Sequence, residues 1–173
     1  MIIDAALQTG FDAAVIIKTK NIPFDFDFRH YCEENICGQY NENYSCPPDC
    51  GTREEMQEKI FGKRRALVVQ SVNKIAEFSA PEFEWAKKRH CSFAVELERK
   101  LKALGVEGFT VGACGCTMCE PCAKKLNLPC TFPEYRYSCT SAYCINVRAL
   151  SKACALKYDL SPDLALFGMY VFD

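Results

Sequence analysis

Short apolar runs rich in β-branched residues predict four strands along the chain. They lie at residues 14–17, 66–72, 109–111 and 169–172. Most of these runs are bounded by Gly, Asp or charged residues, which is typical of strands in a globular protein.

Apolar residues at three- and four-residue steps predict helices between these strands. The strongest pattern runs from about residue 80 to 104 and ends at Gly105. A second helix is predicted from about 141 to 156. A third would begin after Thr52, because Glu55 stands three residues further on and completes a capping box.

The alternation of strands and helices predicts an α/β or α+β fold, with a short mixed sheet flanked by helices. The 173 residues are consistent with a single domain that spans 1–173. Two long segments, about 23–51 and 112–137, show little periodicity and contain nine of the 13 cysteines. Long irregular loops in a small domain are usually functional, so we interpret both as cysteine-rich metal-binding loops.

Charge and hydropathy exclude several classes of function. With 21 basic and 22 acidic residues, the chain has no electrostatic footprint for nucleic acid. No apolar run approaches the roughly 20 residues that span a bilayer, so we expect no membrane insertion. The N-terminus lacks the pattern of a secretory signal, and we expect a cytoplasmic protein. Thiols stay reduced there, which favours metal ligation over disulfides.

The C-terminal loop contains the most specific motif, C-x2-C-x2-C-x7-C. A run of this kind wraps one loop around a [4Fe–4S] cluster, and a remote cysteine beside a proline completes the ligands. Here Pro129 precedes that remote cysteine rather than following it. The predicted ligands are Cys116, Cys119, Cys122 and Cys130.

Zinc is the main alternative metal for this loop. Four-cysteine zinc sites normally take their ligands from two separated C-x2-C pairs, which three cysteines in one run fit poorly. Thiolate ligands alone do not distinguish the two metals. Cys114, just before the run, is either a spare ligand or, as we favour, a buried thiol.

The N-terminal loop has a spacing that matches no ferredoxin pattern, yet it crowds four cysteines together. We favour a second metal centre there, with His30 as an alternative ligand. Its predicted ligands are Cys32, Cys37, Cys46 and Cys50. The remaining cysteines are Cys91, Cys139, Cys144 and Cys154. We interpret most of them as buried thiols. Cys139 and Cys144 are, however, close enough in sequence to the C-terminal loop to approach a cluster.

Several segments resemble the prokaryotic family of domain of unknown function 2284, described as predicted metal-binding proteins. They are Cys37 with Tyr40, the run 44–48, the helix segment 96–99, the run 116–134, and 138–147, in which the family usually has glycine at the position of Cys144. The resemblance implies metal binding without an established reaction.

The resemblance also bears on the ligands of the N-terminal centre. Cys32, Cys37 and Cys46 have counterparts in the family, whereas Cys50 and Cys114 are additions in this sequence. Three ligands would leave one iron open to a substrate, and Cys50 would close that position.

Three functions follow from these motifs. The first is electron transfer in an anaerobic redox system by one or two [4Fe–4S] clusters, with a redox partner protein. The second is an enzyme with an open iron that acts on a small substrate. The third is a structural zinc module with four-cysteine sites that binds other proteins. The sequence has no Ser–His–Asp set or Gly-rich phosphate loop, so no catalytic side chains are assigned.

Overall fold

The computed structural model describes residues 1–75 and 81–173, in which helices cover both faces of a mixed sheet. The helices, in chain order, are α1 (Ile2–Thr9), α2 (Arg29–Glu33), α3 (Arg53–Phe61), α4 (Pro81–Ala103) and α5 (Val147–Ala153). The strands are β1 (Ala13–Lys18), β2 (Arg65–Lys74), β3 (Gly108–Gly112), β4 (Ser138–Cys139), β5 (Asp159–Leu160) and β6 (Asp163–Phe172). Short 3₁₀ helices lie at Thr19–Asn21, Phe26–Phe28, Ala123–Leu126 and Pro133–Tyr135.

The strand order is β1-β2-β6-β3-β4, and β5 pairs with the start of β6. Neighbouring strands are antiparallel except β3 and β4, which are parallel, with Val111 opposite Ser138. The fold is therefore α+β, and the predicted mixed sheet flanked by helices is confirmed. The short strand β4 lies at one edge of the sheet and carries Cys139.

The two faces of the sheet pack against different helices. In β2, Ala66 and Val68 face the core formed with α3 and α5, whereas Leu67 and Val69 face the core formed with α1 and α4. Because both faces are covered, β2 needs apolar side chains at successive positions, which explains its nearly continuous apolar run.

The predicted strands and the capped helix are confirmed. The terminal strand is longer than predicted, because β6 already begins at Asp163. At α3, the Thr52 hydroxyl accepts a hydrogen bond from the Glu55 backbone N–H at 3.2 Å. In return, the Thr52 N–H donates to the Glu55 carboxylate at 2.8 Å, which completes the predicted capping box.

The long predicted helix corresponds to α4, which ends at Ala103 just before Gly105 with its φ of +76°. Its predicted start near Ala80 lies outside the described residues. No helix within residues 1–75 and 81–173 combines the length and the apolarity needed to cross a membrane. Helix α1 was not predicted; it is short and packs against α4.

The helix predicted from 141 to 156 was too long, since α5 begins only at Val147. Cys144 has a φ of +56°, a left-handed conformation that interrupts a helix and that glycine adopts without steric cost. The Asn146 side chain then caps α5 by accepting a hydrogen bond from the Ala149 N–H at 3.0 Å.

A buried guanidinium joins three segments around the cysteine loops. Arg29, at the start of α2, is only 4% exposed. It donates hydrogen bonds to the carbonyl oxygens of Ala142 at 2.6 Å and Gly51 at 2.5 Å, and it also contacts the Met56 sulfur at 3.3 Å. Arg29 therefore connects both ends of the N-terminal loop to the turn that follows β4.

Replacing Arg29 by Ala should destabilise the protein strongly, because it leaves the carbonyl groups of Ala142 and Gly51 without these donors. Loss of charged hydrogen bonds at a buried site costs about 3 kcal/mol. For a chain of this size, that loss lowers the midpoint of thermal unfolding by about 6–12 °C. Circular dichroism of the protein as purified measures the shift.

The matched control is Arg53→Ala, because Arg53 pairs with Glu33 at 3.7 Å on the surface. Exposed ion pairs contribute about 1 kcal/mol or less, so this midpoint should fall by no more than about 4 °C. Equal shifts in the two variants would contradict the structural role assigned to Arg29.

Candidate metal centres

The four cysteines predicted to hold a cluster line a single cleft. They follow β3 in one loop, and a 3₁₀ helix at Ala123–Leu126 turns the chain between the third and the fourth cysteine. Asn127, with a φ of +54°, completes this turn. Because they follow the N-terminal cysteines in the chain, we call these cysteines the second group: Cys116, Cys119, Cys122 and Cys130.

The thiol of Cys116 lies in a partly apolar environment. Burial raises its pKa, and hydrogen bonds from the backbone N–H groups of Met118 and Tyr137 oppose this rise. Amide donors directed at a sulfur stabilise the thiolate, which is the form that binds metal. Donors of this kind also tune the potential of an iron–sulfur centre.

No three or more Cys, His, Asp or Glu side chains in the described ranges lie close enough together to hold a single metal ion. The four cysteines of the second group nevertheless line one cleft. In a cubane, each thiolate binds a different iron, so cluster ligands are spaced more widely than the ligands of one ion.

The N-terminal cysteines are joined by a thiol that the sequence analysis did not assign to them. Cys139, in β4, forms a hydrogen bond with the Cys32 thiol, and it lies within range of charge interaction with both Cys46 and Cys50. Cys37 is exposed and interacts more weakly with Cys32 and Cys46. We call these five the first group: Cys32, Cys37, Cys46, Cys50 and Cys139.

The Cys139 sulfur accepts hydrogen bonds within the first group. The hydrogen bond from Cys32 lowers the pKa of Cys139, burial opposes this effect, and backbone N–H groups of the following turn add to it. One of these donors is the Ala142 N–H, 3.4 Å from the Cys139 sulfur. The same thiol contact raises the pKa of Cys32, and burial raises that of Cys46 to about 12. A bound metal would displace these protons.

The other candidate residues are not assigned to either group. His30 is exposed, and its Nε2 pairs with the Glu34 carboxylate at 2.9 Å. Cys144 and Cys154 are buried, and Cys154 packs in the core beside α5, where burial raises its pKa to about 11.

Cys91 and Cys114 form a separate pair. Their sulfur atoms are 3.1 Å apart, and they join α4 to the loop after β3. The sequence analysis treated the two as unrelated thiols, since 22 residues separate them and no spacing rule connects them.

The two cysteine loops are in direct contact. The Ser45 hydroxyl accepts a hydrogen bond from the Cys116 backbone N–H at 2.9 Å, and the Asn43 amide donates to the Cys116 carbonyl at 3.0 Å. A Cβ atom at Gly115 would lie only 3.2 Å from the Cys46 sulfur. Glycine at this position therefore lets a first-group thiol approach the backbone of the second group.

Polar contacts extend this interface beyond the cysteines. The Tyr44 hydroxyl donates to the Leu128 carbonyl at 3.0 Å. The Lys124 ammonium binds the Asn41 side-chain oxygen at 2.9 Å and forms an ion pair with Asp49. The segment around Cys46 is thus held against the second group by neutral and charged contacts.

Comparison with known proteins identifies a family but no characterised relative. No curated protein and no solved structure matches the chain significantly. A family model described as a predicted metal-binding protein matches residues 15–172, a range that includes every cysteine of both groups. The chain therefore belongs to the family of domain of unknown function 2284, the predicted metal-binding proteins.

Proposed function

We propose that the protein is an electron carrier in which each cysteine group holds one [4Fe–4S] cluster. The observation that carries this proposal is the direct contact between the groups, where the Cys46 sulfur faces the backbone of Gly115. Membership of a metal-binding family supports metal ligation in general. Two clusters held by adjoining loops would form a short path for electrons.

The residues of the second group suit a cluster. None of the described residues that line its cleft is His, Asp or Glu, so the available ligands are thiols. The Met118 and Tyr137 amides donate to the Cys116 sulfur, as donors to a cluster ligand would. Arg136 also lines the cleft and would offset the negative charge of a thiolate-bound cluster.

The first group offers five thiols where a cubane needs four. Cys32 and Cys46 are buried, and Cys139 is fixed by the pairing of β4 with β3. These three are our proposed core ligands, and either Cys37 or Cys50 would complete the set. A complete set of thiolates favours electron transfer over an enzyme with an open iron.

A bound [4Fe–4S] cluster would gain and lose one electron at a time. The chain would contribute thiolate ligands, amide donors and a partly buried contact between the two loops. The second-group cysteines are half-buried, so their cleft is the proposed place where a redox partner protein docks. We expect no nucleic-acid partner and a cytoplasmic location.

Removing one ligand from each group should separate the two centres. We expect Cys122→Ala and Cys139→Ala each to lose about half of the iron and acid-labile sulfide, because two cubanes contain about eight irons. Both are measured per chain after anaerobic purification. The matched control is Cys154→Ala, a buried cysteine in neither group, which should retain the full content.

Each outcome of this experiment has a distinct meaning. Full iron in Cys139→Ala would remove Cys139 from the ligand set. Zinc without sulfide in the unmodified protein would overturn the iron–sulfur proposal and favour the structural zinc module.

A second measurement distinguishes an electron carrier from an enzyme with an open iron. If thiolates complete both clusters, cyanide added to the reduced protein should leave its EPR spectrum unchanged. The Cys50→Ala variant serves as the comparison, because loss of one ligand from a cluster that stays bound can open an iron to cyanide. A cyanide-dependent signal in the unmodified protein would contradict the carrier proposal.

A further inference from the structure

A pair of close thiols lies outside both cysteine groups. The sulfur atoms of Cys91 and Cys114 are 3.1 Å apart, about one ångström more than the roughly 2.05 Å of a disulfide bond. Both are free cysteines. A small movement of either side chain would bring the sulfurs within bonding distance.

The surroundings of the pair restrict how it can react. Cys91 is fully buried on α4 and packs with Val95 and Tyr137. Cys114 is half-buried and packs against the same cluster. Cys114 is thus the more exposed member of the pair, and a reagent from solvent can approach the pair only from its side. This combination of an accessible thiol with a buried neighbour suits an attacking and a resolving cysteine.

We propose that Cys91 and Cys114 form a thiol–disulfide exchange site, whose substrates are low-molecular-weight disulfides and the corresponding thiols. This activity goes beyond metal binding and does not depend on which metal the two groups hold. It also gives a role to Cys114, which belongs to neither cysteine group.

The exchange takes place in two balanced steps. The Cys114 thiolate attacks one sulfur of a disulfide RSSR, whose S–S bond breaks as the Cys114–S–S–R bond forms. The released RS⁻ takes up the proton that Cys114 lost. The Cys91 thiolate then attacks the Cys114 sulfur and expels a second RS⁻, which takes up the proton of Cys91. The protein loses two thiols and gains one disulfide, and RSSR is reduced to two RSH; excess RSH reverses both steps.

The test uses the whole chain, purified anaerobically with its metal. The protein is equilibrated in mixtures of glutathione and glutathione disulfide, quenched with acid, alkylated in denaturant and digested with trypsin. We expect a loss of two free thiols per chain and a disulfide that links peptide 90–99 to peptide 103–124. Fragment ions should assign the link to Cys114, and excess glutathione should reverse it.

Two variants and the metal content complete the experiment. Cys91→Ala should accumulate a glutathione mixed disulfide on Cys114, because the resolving thiol is missing, whereas Cys154→Ala should behave like the unmodified protein. Absence of the Cys91–Cys114 disulfide at every glutathione ratio would overturn the proposal. Loss of metal from Cys91→Ala would also overturn it, because Cys91 would then be a metal ligand. A zinc-containing protein that still forms the link would overturn only the iron–sulfur proposal.

Discussion

The buried guanidinium of Arg29 is the interaction on which the first cysteine group depends. It binds the carbonyl oxygens of Ala142 and Gly51, which lie in segments far apart in sequence. Cys32 follows one turn after Arg29 on α2, and Cys139 begins the turn that contains Ala142. The planar guanidinium of an arginine has several hydrogen-bond donors in fixed directions, so it can join such segments. The flexible ammonium of a lysine does this less well. The positions of Cys32 and Cys139 thus depend on the hydrogen bonds that the buried Arg29 guanidinium makes.

Contact between the two loops extends this arrangement to the second group. Ser45 binds the Cys116 backbone, and the absence of a side chain at Gly115 leaves room for the Cys46 sulfur. The two groups are therefore in direct contact through these loops. The Cys91–Cys114 pair adjoins the same loop, since Cys114 lies two residues before Cys116. The proposed metal ligands and the Cys91–Cys114 pair thus lie in neighbouring segments of the fold.

The sequence predicted those parts of the site whose residues lie close together along the chain. The four cysteines of the second group lie within 15 residues, so their spacing alone predicted a common cleft. Cys139 follows Cys50 by 89 residues and reaches the first group only through the parallel pairing of β4 with β3, which no local pattern records. Arg29 was missed for a similar reason, because a single arginine in a polar loop resembles a solvated residue. The helix predicted from 141 failed where Cys144 adopts a positive φ, a conformation that apolar periodicity does not predict.

The proposed function requires two separate clusters in one chain, which native mass spectrometry of the anaerobically purified protein can count. We expect the mass of the chain plus two [4Fe–4S] units, with species carrying one unit appearing as the clusters are lost in turn. The mass of the chain with zinc ions would contradict the account, as would a largest species that carries a single cluster.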